Sequence, residues 1–207
     1  MTQTTIPKPR KSPVQARPTA TVDAILEAAA RILESEGFEG YTTNAIAKRA
    51  GVSIGSLYQY FPNKDALLAA LINRYADRLI EELENHMTQH DGAPAFEQLR
   101  NYVRAMLVLP RKNPTLHRAF VLVALHLGHD SVRELEDRLV ILVRQYLDFQ
   151  AEHLLPTDLD LAAFIVVTTV EGVTNLALLK HPEYIQTEAF ELELTRILWR
   201  YLVGGPE

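Results

Sequence analysis

Apolar residues recur every three to four positions along almost the whole chain after residue 20, and no segment shows the alternation of a half-buried strand. Spacing of this kind places apolar side chains on one face of a helix. Each periodic segment ends at a proline, a glycine or a short polar run, which break helices. The pattern predicts an all-α protein with helices over about 21–37, 43–50, 54–61, 64–85, 95–109, 115–127, 131–155, 158–179 and 187–202.

The two shortest predicted helices flank a tight turn. The first, over 43–50, is followed by Gly51, which adopts positive φ readily and so stops a helix. Ser53 is placed to cap the next helix by accepting a hydrogen bond from a free backbone N–H. That helix buries Leu57 and Phe61 on one face and ends before a proline. Two short helices joined in this way are typical of a helix-turn-helix, whose second helix enters the major groove of DNA.

The stretch from Gly51 to Leu68, GVSIGSLYQYFPNKDALL, resembles the DNA-binding signature of the tetracycline-repressor (TetR) family of transcriptional regulators. A small or polar residue, Leu-Tyr, a variable residue and an aromatic pair precede a lysine and the apolar start of the next helix. The resemblance covers the first third of the chain, and the rest matches the family only in its length and its predicted helical character. It implies a three-helix DNA-binding domain fused to a helical ligand-binding and dimerisation bundle, and a repressor that an inducer releases from DNA.

Three parts are predicted along the chain. Residues 1–20 are a proline-rich arm with four basic and no acidic residues, which we predict to be disordered. This arm is either a DNA contact or a solvated tail. Residues 21–66 form the helix-turn-helix domain and residues 67–207 the helical bundle. The helix after Asn63 is long enough to belong to both, because twenty residues span about 30 Å.

Several residues of the motif are candidate DNA contacts. On the second helix, Gln59 can hydrogen-bond adenine, Ile54 can meet a thymine methyl group, and Gly55 allows close backbone approach. The tyrosines resemble the family's phosphate anchors, and the residues at two helix starts are contacts to phosphate by the same resemblance. For any one member the alternative is a plain exposed polar residue. The predicted set is Thr43, Ile54, Gly55, Ser56, Tyr58, Gln59, Tyr60 and Lys64.

Residues 161–179 are apolar nearly all round the predicted helix, which predicts burial on most sides. The helix is either the core of a monomeric bundle or covered in part by a second subunit. The resemblance favours a homodimer, because TetR-like proteins dimerise through their last two long helices. We therefore predict an interface within 158–203, formed by Phe164, Val167, Val170, Leu178, Phe190, Leu194, Ile197 and Tyr201.

The bundle is predicted to enclose a largely apolar effector pocket. Aromatic residues at helical spacing are more often core than pocket, so both interpretations of them stay open. Glu171 and Asn175 lie one turn apart on the most apolar helix, and buried polar groups need partners: a ligand, each other or the other subunit. The predicted wall is Tyr75, Phe96, Tyr102, Met106, Phe120, His126, Tyr146, Phe149, Phe164, Glu171 and Asn175.

Charge and composition suit a protein that meets phosphates with one end only. The net charge is −5, but residues 1–66 hold eight Lys/Arg against six Asp/Glu, and the other 141 residues hold thirteen against twenty. The absence of cysteine fits a reducing cytosol. The sequence has no uninterrupted run of about 18 apolar residues, so we predict no membrane span. We expect a cytoplasmic, nucleoid-associated protein whose partners are a palindromic operator in double-stranded DNA, a small effector and a second copy of itself.

No catalytic constellation is evident in the sequence, which lacks a phosphate-binding glycine loop and a nucleophile elbow. Glu82, His86 and His90 have the spacing of a metal site. Two solvated histidines at a helix end are the commoner case, so neither a metal nor a cofactor is predicted. Two other classes stay open: a small helical enzyme, and a DNA-binding or interaction protein that needs no effector.

Overall fold

The computed structural model describes residues 16–89, 93–127 and 130–205. Within these ranges the chain forms nine α-helices, two short 3-10 turns and no strand, which confirms the all-α prediction. The helices are α1 (Ala16–Gly40), α2 (Thr43–Ala50), α3 (Ile54–Tyr60), α4 (Lys64–Gln89), α5 (Ala95–Lys112), α6 (Pro114–Leu127), α7 (Asp130–Phe149), α8 (Leu159–Lys180) and α9 (Glu188–Leu202).

Local hydrogen bonds fix the turn between α2 and α3. Gly51 ends α2 at φ 69°, in the left-handed region that favours glycine. Ser53 Oγ accepts a hydrogen bond from the Ser56 N–H at 3.0 Å and so caps α3, as predicted. Asn63 Oδ1 caps α4 in the same way, through the Ala66 N–H at 2.8 Å. The helix-turn-helix geometry is thus set by residues within a few positions of one another.

Two hydrophobic cores share one long helix. The first core joins α1, α2, α3, the start of α4 and part of α6, and it buries Leu57 completely. The second core joins the end of α4 to α5, α7, α8 and α9 around Leu139. Helix α4 supplies Leu68 to the first core and Leu83 to the second, as the sequence predicted. Its 26 residues span about 39 Å.

Helix α1 differs from the predicted helix at both ends. It begins at Ala16, so residues 16–20 of the predicted disordered arm are helical, while residues 1–15 lie outside the described part. Pro18 falls in the first turn, where the missing N–H of a proline has no helical partner to lose. At the other end Gly37 takes φ 66° and ψ −164°, which kinks the helix. Any other residue type at this position is expected to be strained.

Helices α5 and α7 also end differently from the predicted ones. Helix α5 continues through Pro110 to Lys112, because a proline in the last turn removes only one helical hydrogen bond. Helix α7 ends at Phe149, not near residue 155, and the Phe149 side chain is 87 % exposed. Leu147 is the last buried residue of α7.

A buried carboxylate ties α9 to α5. The side chain of Glu191 is 4 % exposed, and three arginines of α5 surround it: Arg100 at 3.0 Å, Arg104 at 2.9 Å and Arg111 at 2.9 Å. Burial alone raises the pKa of Glu191, but the hydrogen bonds from the arginines outweigh it and lower the pKa below its usual value. Arg111 also donates to the carbonyl oxygen of Ile185, so this arginine cluster fixes the chain that enters α9 as well.

Helix α8 has two apolar faces, which accounts for its apolar sequence. One face lies in the second core, where Ala163, Val166 and Val170 are buried. By length and composition alone, α8 is the one helix in the described ranges that could cross a membrane. Its contacts with α5, α6, α7 and α9 are those of a core helix in a bundle.

Candidate nucleic-acid interface and ligand pocket

The outer side of α3 is the candidate DNA-reading surface. Leu57 and Phe61 are buried and hold α3 on the first core, as predicted. The residues that face outward are Ile54, Gly55, Tyr58 and Gln59, with Ser56 and Tyr60 half-buried beside them. A Cβ added at Gly55 would meet only Ser53 Oγ, at 3.9 Å, so the packing of the protein itself does not require a glycine there.

Candidate phosphate contacts lie at the starts of the neighbouring helices. Thr43 is the first residue of α2, and its hydroxyl oxygen lies 3.2 Å from the Tyr58 hydroxyl on α3. Lys64 is the first residue of α4, and its Nζ lies 5.2 Å from the centroid of the Phe38 ring, a cation–π contact. The fold therefore brings Thr43 and Tyr58 together and holds Lys64 against Phe38. Free N–H groups at helix starts add a field that favours phosphate.

Two basic residues of the same motif lie outside the predicted set. Lys48 and Arg49 are exposed in the last turn of α2. Cations at this end of a helix interact favourably with its dipole, so they stabilise α2 and also offer positive charge to phosphates. Their charge is their only sequence signal, because the family-like pattern begins at Gly51.

The second candidate site is a cavity between α4, α5, α6, α7 and α8, here called the α6 pocket. Its volume is about 90 Å³. Five of the predicted wall residues line it: Tyr75, Met106, Phe120, Glu171 and Asn175. Its other wall residues are Ile72, Leu79, Pro110, His117, Val121, Leu135, Val170 and Thr174.

Three of the remaining predicted wall residues lie inside the bundle but away from this pocket. Phe96 packs edge-on against a tryptophan of α9, with 5.5 Å between the ring centroids. Tyr102 and Tyr146 line a second, smaller cavity of about 20 Å³. Helical periodicity identifies inward-facing residues, but it does not say which cavity they face.

The other three predicted wall residues are not in the described interior. Phe149 and Phe164 are exposed, so their prediction as pocket residues is corrected by their position on the surface. Phe149 lies beyond the last core turn of α7, and Phe164 lies on the outer face of α8. The side chain of His126 falls outside the described residues.

One side of the α6 pocket carries a hydrogen-bonded chain of three side chains. His117 Nε2 lies 3.1 Å from Asn175 Oδ1, which is an acceptor, so Nε2 carries the ring proton. His117 Nδ1 is then an acceptor, and the Tyr75 hydroxyl donates to it. Burial lowers the pKa of His117, although the bond to Asn175 acts against this, so the imidazole is neutral near pH 7. No sequence signal pairs His117 with Asn175, which lies 58 positions further on.

Two other polar groups of the wall lack such partners. Thr174 is 4 % exposed, and its hydroxyl has no hydrogen-bond partner among the described residues. Within the same part of the chain, no hydrogen bond reaches the Glu171 carboxylate; its pKa is raised to about 7, first by burial and then by the nearby Glu136 carboxylate. The sequence contains a signal for Thr174 as a wall residue, because it lies one turn after Glu171 on the same helix face.

The predicted dimer interface divides into two groups. Four of its members are buried in the protomer's own interior and are not available to a partner: Val167, Val170, Leu178 and Leu194. Periodicity identified their apolar character but not which of the two apolar faces of α8 is covered by α5, α6 and α7. The others are accessible in part: Phe164 and Ile197 are exposed, and Phe190 and Tyr201 are half-buried.

An apolar stripe runs along the outer face of α8. Its members, together with one residue of α9, are each 39–53 % exposed and are here called the α8–α9 stripe: Leu161, Phe164, Val173, Leu176 and Ile197. Contiguous exposed apolar surface is typical of interaction sites, so the stripe is the candidate surface for a partner. Of the five, Leu161, Val173 and Leu176 were absent from the predicted interface.

The histidines at the end of α4 do not form a metal site within the described residues. His86 Nδ1 lies 2.9 Å from the carbonyl oxygen of Glu82, a contact within the helix. No group of three His, Asp or Glu side chains is placed to hold a metal ion in the ranges that the structure describes. His90, the third member of the sequence pattern, lies outside those ranges.

A helix-turn-helix at one end of an all-α chain, followed by a bundle with an internal pocket, defines a class of protein: the two-domain, helix-turn-helix transcriptional regulators. The chain belongs to the TetR family of such regulators. Residues 25–71 match the family described as bacterial regulatory proteins, tetR family, and residues 94–202 match the tetracyclin repressor-like C-terminal domain. The family consists of non-enzymatic proteins that bind DNA as dimers, which removes the helical enzyme as an alternative.

Individual relatives and solved structures agree with this assignment. The nucleoid occlusion factor SlmA of Vibrio atlanticus is 29 % identical over 177 residues, which cover 82 % of this chain and 89 % of that protein. The fatty acid degradation regulator FadR from Bacillus halodurans superposes with a TM-score of 0.71 at 21 % identity, covering 91 % of this chain and 96 % of that one. A TetR-family regulator from Mesorhizobium loti gives 0.73 at 17 % identity, covering 91 % and 100 %. At these identities the two structures show the shared fold alone.

Proposed function

We propose that the protein is a ligand-responsive transcriptional repressor. A homodimer binds a palindromic operator in double-stranded DNA and places one α3 helix in each of two successive major grooves, about 34–36 Å apart. A small, largely apolar effector binds the α6 pocket and releases the dimer from the operator. The protein acts in the cytoplasm, at the DNA.

Helix α6 carries the proposed link between pocket and DNA. Phe120 is buried in the first core, with Leu116 and Ala119 packed around the same core, and its ring also lines the α6 pocket. The centroid of that ring lies 5.0 Å from the centroid of Tyr75. Because α6 packs on α1, a ligand that displaces the α6 wall also displaces the support of the helix-turn-helix. This double role of Phe120 is the observation that most favours a ligand response.

The size of the pocket favours a coupled movement. Its volume of about 90 Å³ is smaller than the cavity of about 150 Å³ that takes up benzene in an engineered protein. An effector larger than benzene therefore binds best to a state in which the pocket is wider. A ligand shifts the equilibrium only by its difference in affinity for the two states. We assign the wider state to the protein that has left the operator.

The α8–α9 stripe is the proposed dimer surface. Two copies of one apolar patch can cover each other across a two-fold axis, as in most homodimers. Gly172 lies on the same helix, and nothing lies within 4 Å of a Cβ placed there, so a partner helix can approach closely. Helices α8 and α9 pack in the second core and α3 packs in the first, so dimerisation through the stripe leaves both α3 helices free to reach DNA.

Binding of the full chain to the DNA upstream of its own gene tests the DNA-binding part of the proposal. We expect one palindromic segment to bind more tightly than a shuffled segment, and binding to weaken with salt. Lys64→Ala is expected to weaken binding to both segments alike. It should also lower the slope of log K against log salt by about 2 per dimer, because each phosphate contact contributes about 0.9.

Fluorescence anisotropy at two or more salt concentrations measures both effects. Lys180→Ala, an exposed lysine at the end of α8, is the matched control and should leave the slope unchanged. Equal affinity for the palindromic and shuffled DNA, also among genomic fragments selected for binding, contradicts an operator-binding repressor.

Tyr58→Phe is expected to lower operator affinity about tenfold for each half-site. The change keeps the ring but removes the hydroxyl, and a hydrogen bond to a charged phosphate contributes about 1.5 kcal/mol or more. The melting temperature should stay the same, because the lost bond to Thr43 is exposed. Tyr184→Phe removes an exposed hydroxyl far along the chain and serves as control. An unchanged operator affinity for Tyr58→Phe removes this residue from the interface.

A constitutive DNA-binding protein without an effector is the second candidate. The similarity to a Vibrio protein named as a nucleoid occlusion factor favours it. Thermal denaturation of the full chain with a broad panel of apolar, cationic and anionic compounds separates the two, since a ligand that binds the folded state raises its melting temperature. Compounds that stabilise the protein and release the operator support the ligand response. DNA binding that persists with no thermal shift supports the constitutive protein.

A further inference from the structure

The described wall of the α6 pocket carries charge of one sign. Glu171 is its one acidic residue, and no lysine or arginine lines it. A second carboxylate, Glu136 of α7, is close enough to act on Glu171. The remaining titratable groups that face Glu171, which lie on α4, α5 and α6, are neutral at pH 7. Burial raises the pKa of Tyr75 on α4 and Tyr102 on α5, and it lowers the pKa of His117 on α6.

Glu171 and Thr174 are also the two polar wall groups whose hydrogen-bonding capacity is unused. The chain from Tyr75 to Asn175 is satisfied internally. The Thr174 hydroxyl is more than nine-tenths buried and without a partner among the described residues, and it lies one turn from Glu171. Buried polar atoms of native proteins nearly always have a partner, so an unpartnered buried hydroxyl beside a half-buried carboxylate in the wall of a cavity indicates a ligand that supplies donors.

We propose that the effector is a cationic amine whose ammonium group binds between the Glu171 carboxylate and the Thr174 hydroxyl. The proposal rests on the α6 pocket being the effector site and specifies the chemistry of that effector. An ammonium has three donors and no acceptor, which matches two oxygen acceptors one helical turn apart. The faces of the Tyr75 and Phe120 rings favour a nearby cation further.

The rest of the wall accepts the apolar body of such a molecule. Ile72, Leu79 and Met106 supply apolar side chains to it from α4 and α5. A neutral alcohol of the same shape would satisfy Thr174 but leave the carboxylate without a counter-charge. A carboxylic acid would add a third carboxylate beside Glu171 and Glu136. The pocket thus discriminates among ligands of one shape by their charge.

The affinity for an amine should depend on pH in a defined direction. The pKa of Glu171 is raised to about 7, whereas an alkylamine keeps its proton up to about pH 9, as a lysine side chain does. The ammonium binds the ionised carboxylate, so amine affinity should rise about tenfold from pH 6 to pH 8 and level off above. A ligand that binds only through its apolar body should show no such rise.

Calorimetric titration of the full-chain protein with three probes of one shape tests the inference: 2-phenylethylamine, 2-phenylethanol and phenylacetate. At pH 8 we expect the amine to bind at least about tenfold more tightly than the alcohol, and the acid more weakly than both. Glu171→Gln, of the same shape, should weaken the amine at least about tenfold, leave the alcohol within about threefold and abolish the pH dependence. Thr174→Val should weaken the amine several-fold.

Glu183→Gln, an exposed carboxylate in the turn after α8, is the matched control and should bind all three probes like the unchanged protein. Equal or tighter binding of the alcohol, an amine preference that survives in Glu171→Gln, or no binding of any probe overturns the cationic effector. Failure of the proposed ligand response is measured separately, because in that case no compound of the broad panel releases the operator. Amine binding without operator release would keep the amine site and reject the ligand response.

Discussion

Glu191→Gln is expected to lower the free energy of unfolding by about 3 kcal/mol. Breaking a buried charge pair from one side costs about 3–5 kcal/mol, because the remaining charge loses its partner in a site that water reaches poorly. Here the remaining charges are the three arginines of the cluster, which pack around Glu191 from α5. All three keep another partner, which places the loss at the lower end. For a chain of this size the melting temperature should fall by roughly 6–12 °C.

The same helix supplies the control. Glu193→Gln makes the same chemical change at a side chain that is 65 % exposed and pairs with Arg196 on the surface. Surface pairs of this kind contribute about 0–1 kcal/mol, so its melting temperature should stay within about 4 °C of the unchanged protein. Similar losses in the two variants would show that the arginine cluster does not stabilise the fold.

The free energy of unfolding should depend on pH more strongly in the unchanged protein than in Glu191→Gln. The folded-state pKa of Glu191 lies below its ordinary value of 4.5. The stability it contributes is therefore complete above about pH 4.5 and is lost as the pH falls through the lower folded value. Urea unfolding between about pH 6 and pH 3 should show a steeper loss for the unchanged protein than for Glu191→Gln.

Phe164→Glu is expected to separate the dimer and to lower operator affinity by at least about a hundredfold. In the proposed dimer a two-fold axis brings two copies of the α8–α9 stripe together, so a glutamate there loses its hydration on association and faces apolar side chains. A monomer binds one half-site only and loses the gain of about 10²–10⁴ that linked half-sites provide. Sedimentation at micromolar concentration measures the first effect, and anisotropy with the operator measures the second.

Ile141→Glu is the matched control for this variant. Ile141 is also an exposed apolar residue, but it lies on the solvent face of α7 between Asp137 and Gln145, away from the stripe. A glutamate there should change neither the association state nor the affinity for DNA. If Phe164→Glu also remains a dimer at micromolar concentration, the dimer surface lies elsewhere on the protein.

The helix-turn-helix could be predicted in detail because its determinants are local. Ser53 and Asn63 cap the helix that starts immediately after them, and Gly51 stops the helix immediately before it. Such signals depend on a few neighbouring positions and do not change with the tertiary contacts of the helix. The buried positions of α3 follow from spacing alone for the same reason.

The pocket and the dimer surface could be predicted only in part, because both depend on contacts between distant segments. The spacing of apolar residues identifies the inward side of a helix that has one apolar face, and it correctly indicated that Tyr75 and Phe120 point inward. It fails on α8, where Val167 is covered by the bundle while Phe164, three positions earlier, is exposed. The partners of His117 are set by tertiary packing, which no local pattern encodes.

In the proposed ligand-responsive repressor, the position of Phe120 in both the first core and the α6 pocket has a consequence for how new inducers are acquired. A change at Leu135 on α7 reshapes the cavity without touching the core beneath the recognition helix. A change at Phe120 alters the pocket and the first core at once. Most variants at this position should therefore lose DNA binding as well. Selection for a new inducer should therefore act first on the walls from α5 and α7. The residues that α6 supplies to the pocket should change only together with the DNA-binding domain. Evolutionary change in the pocket should therefore be confined to the walls from α5 and α7.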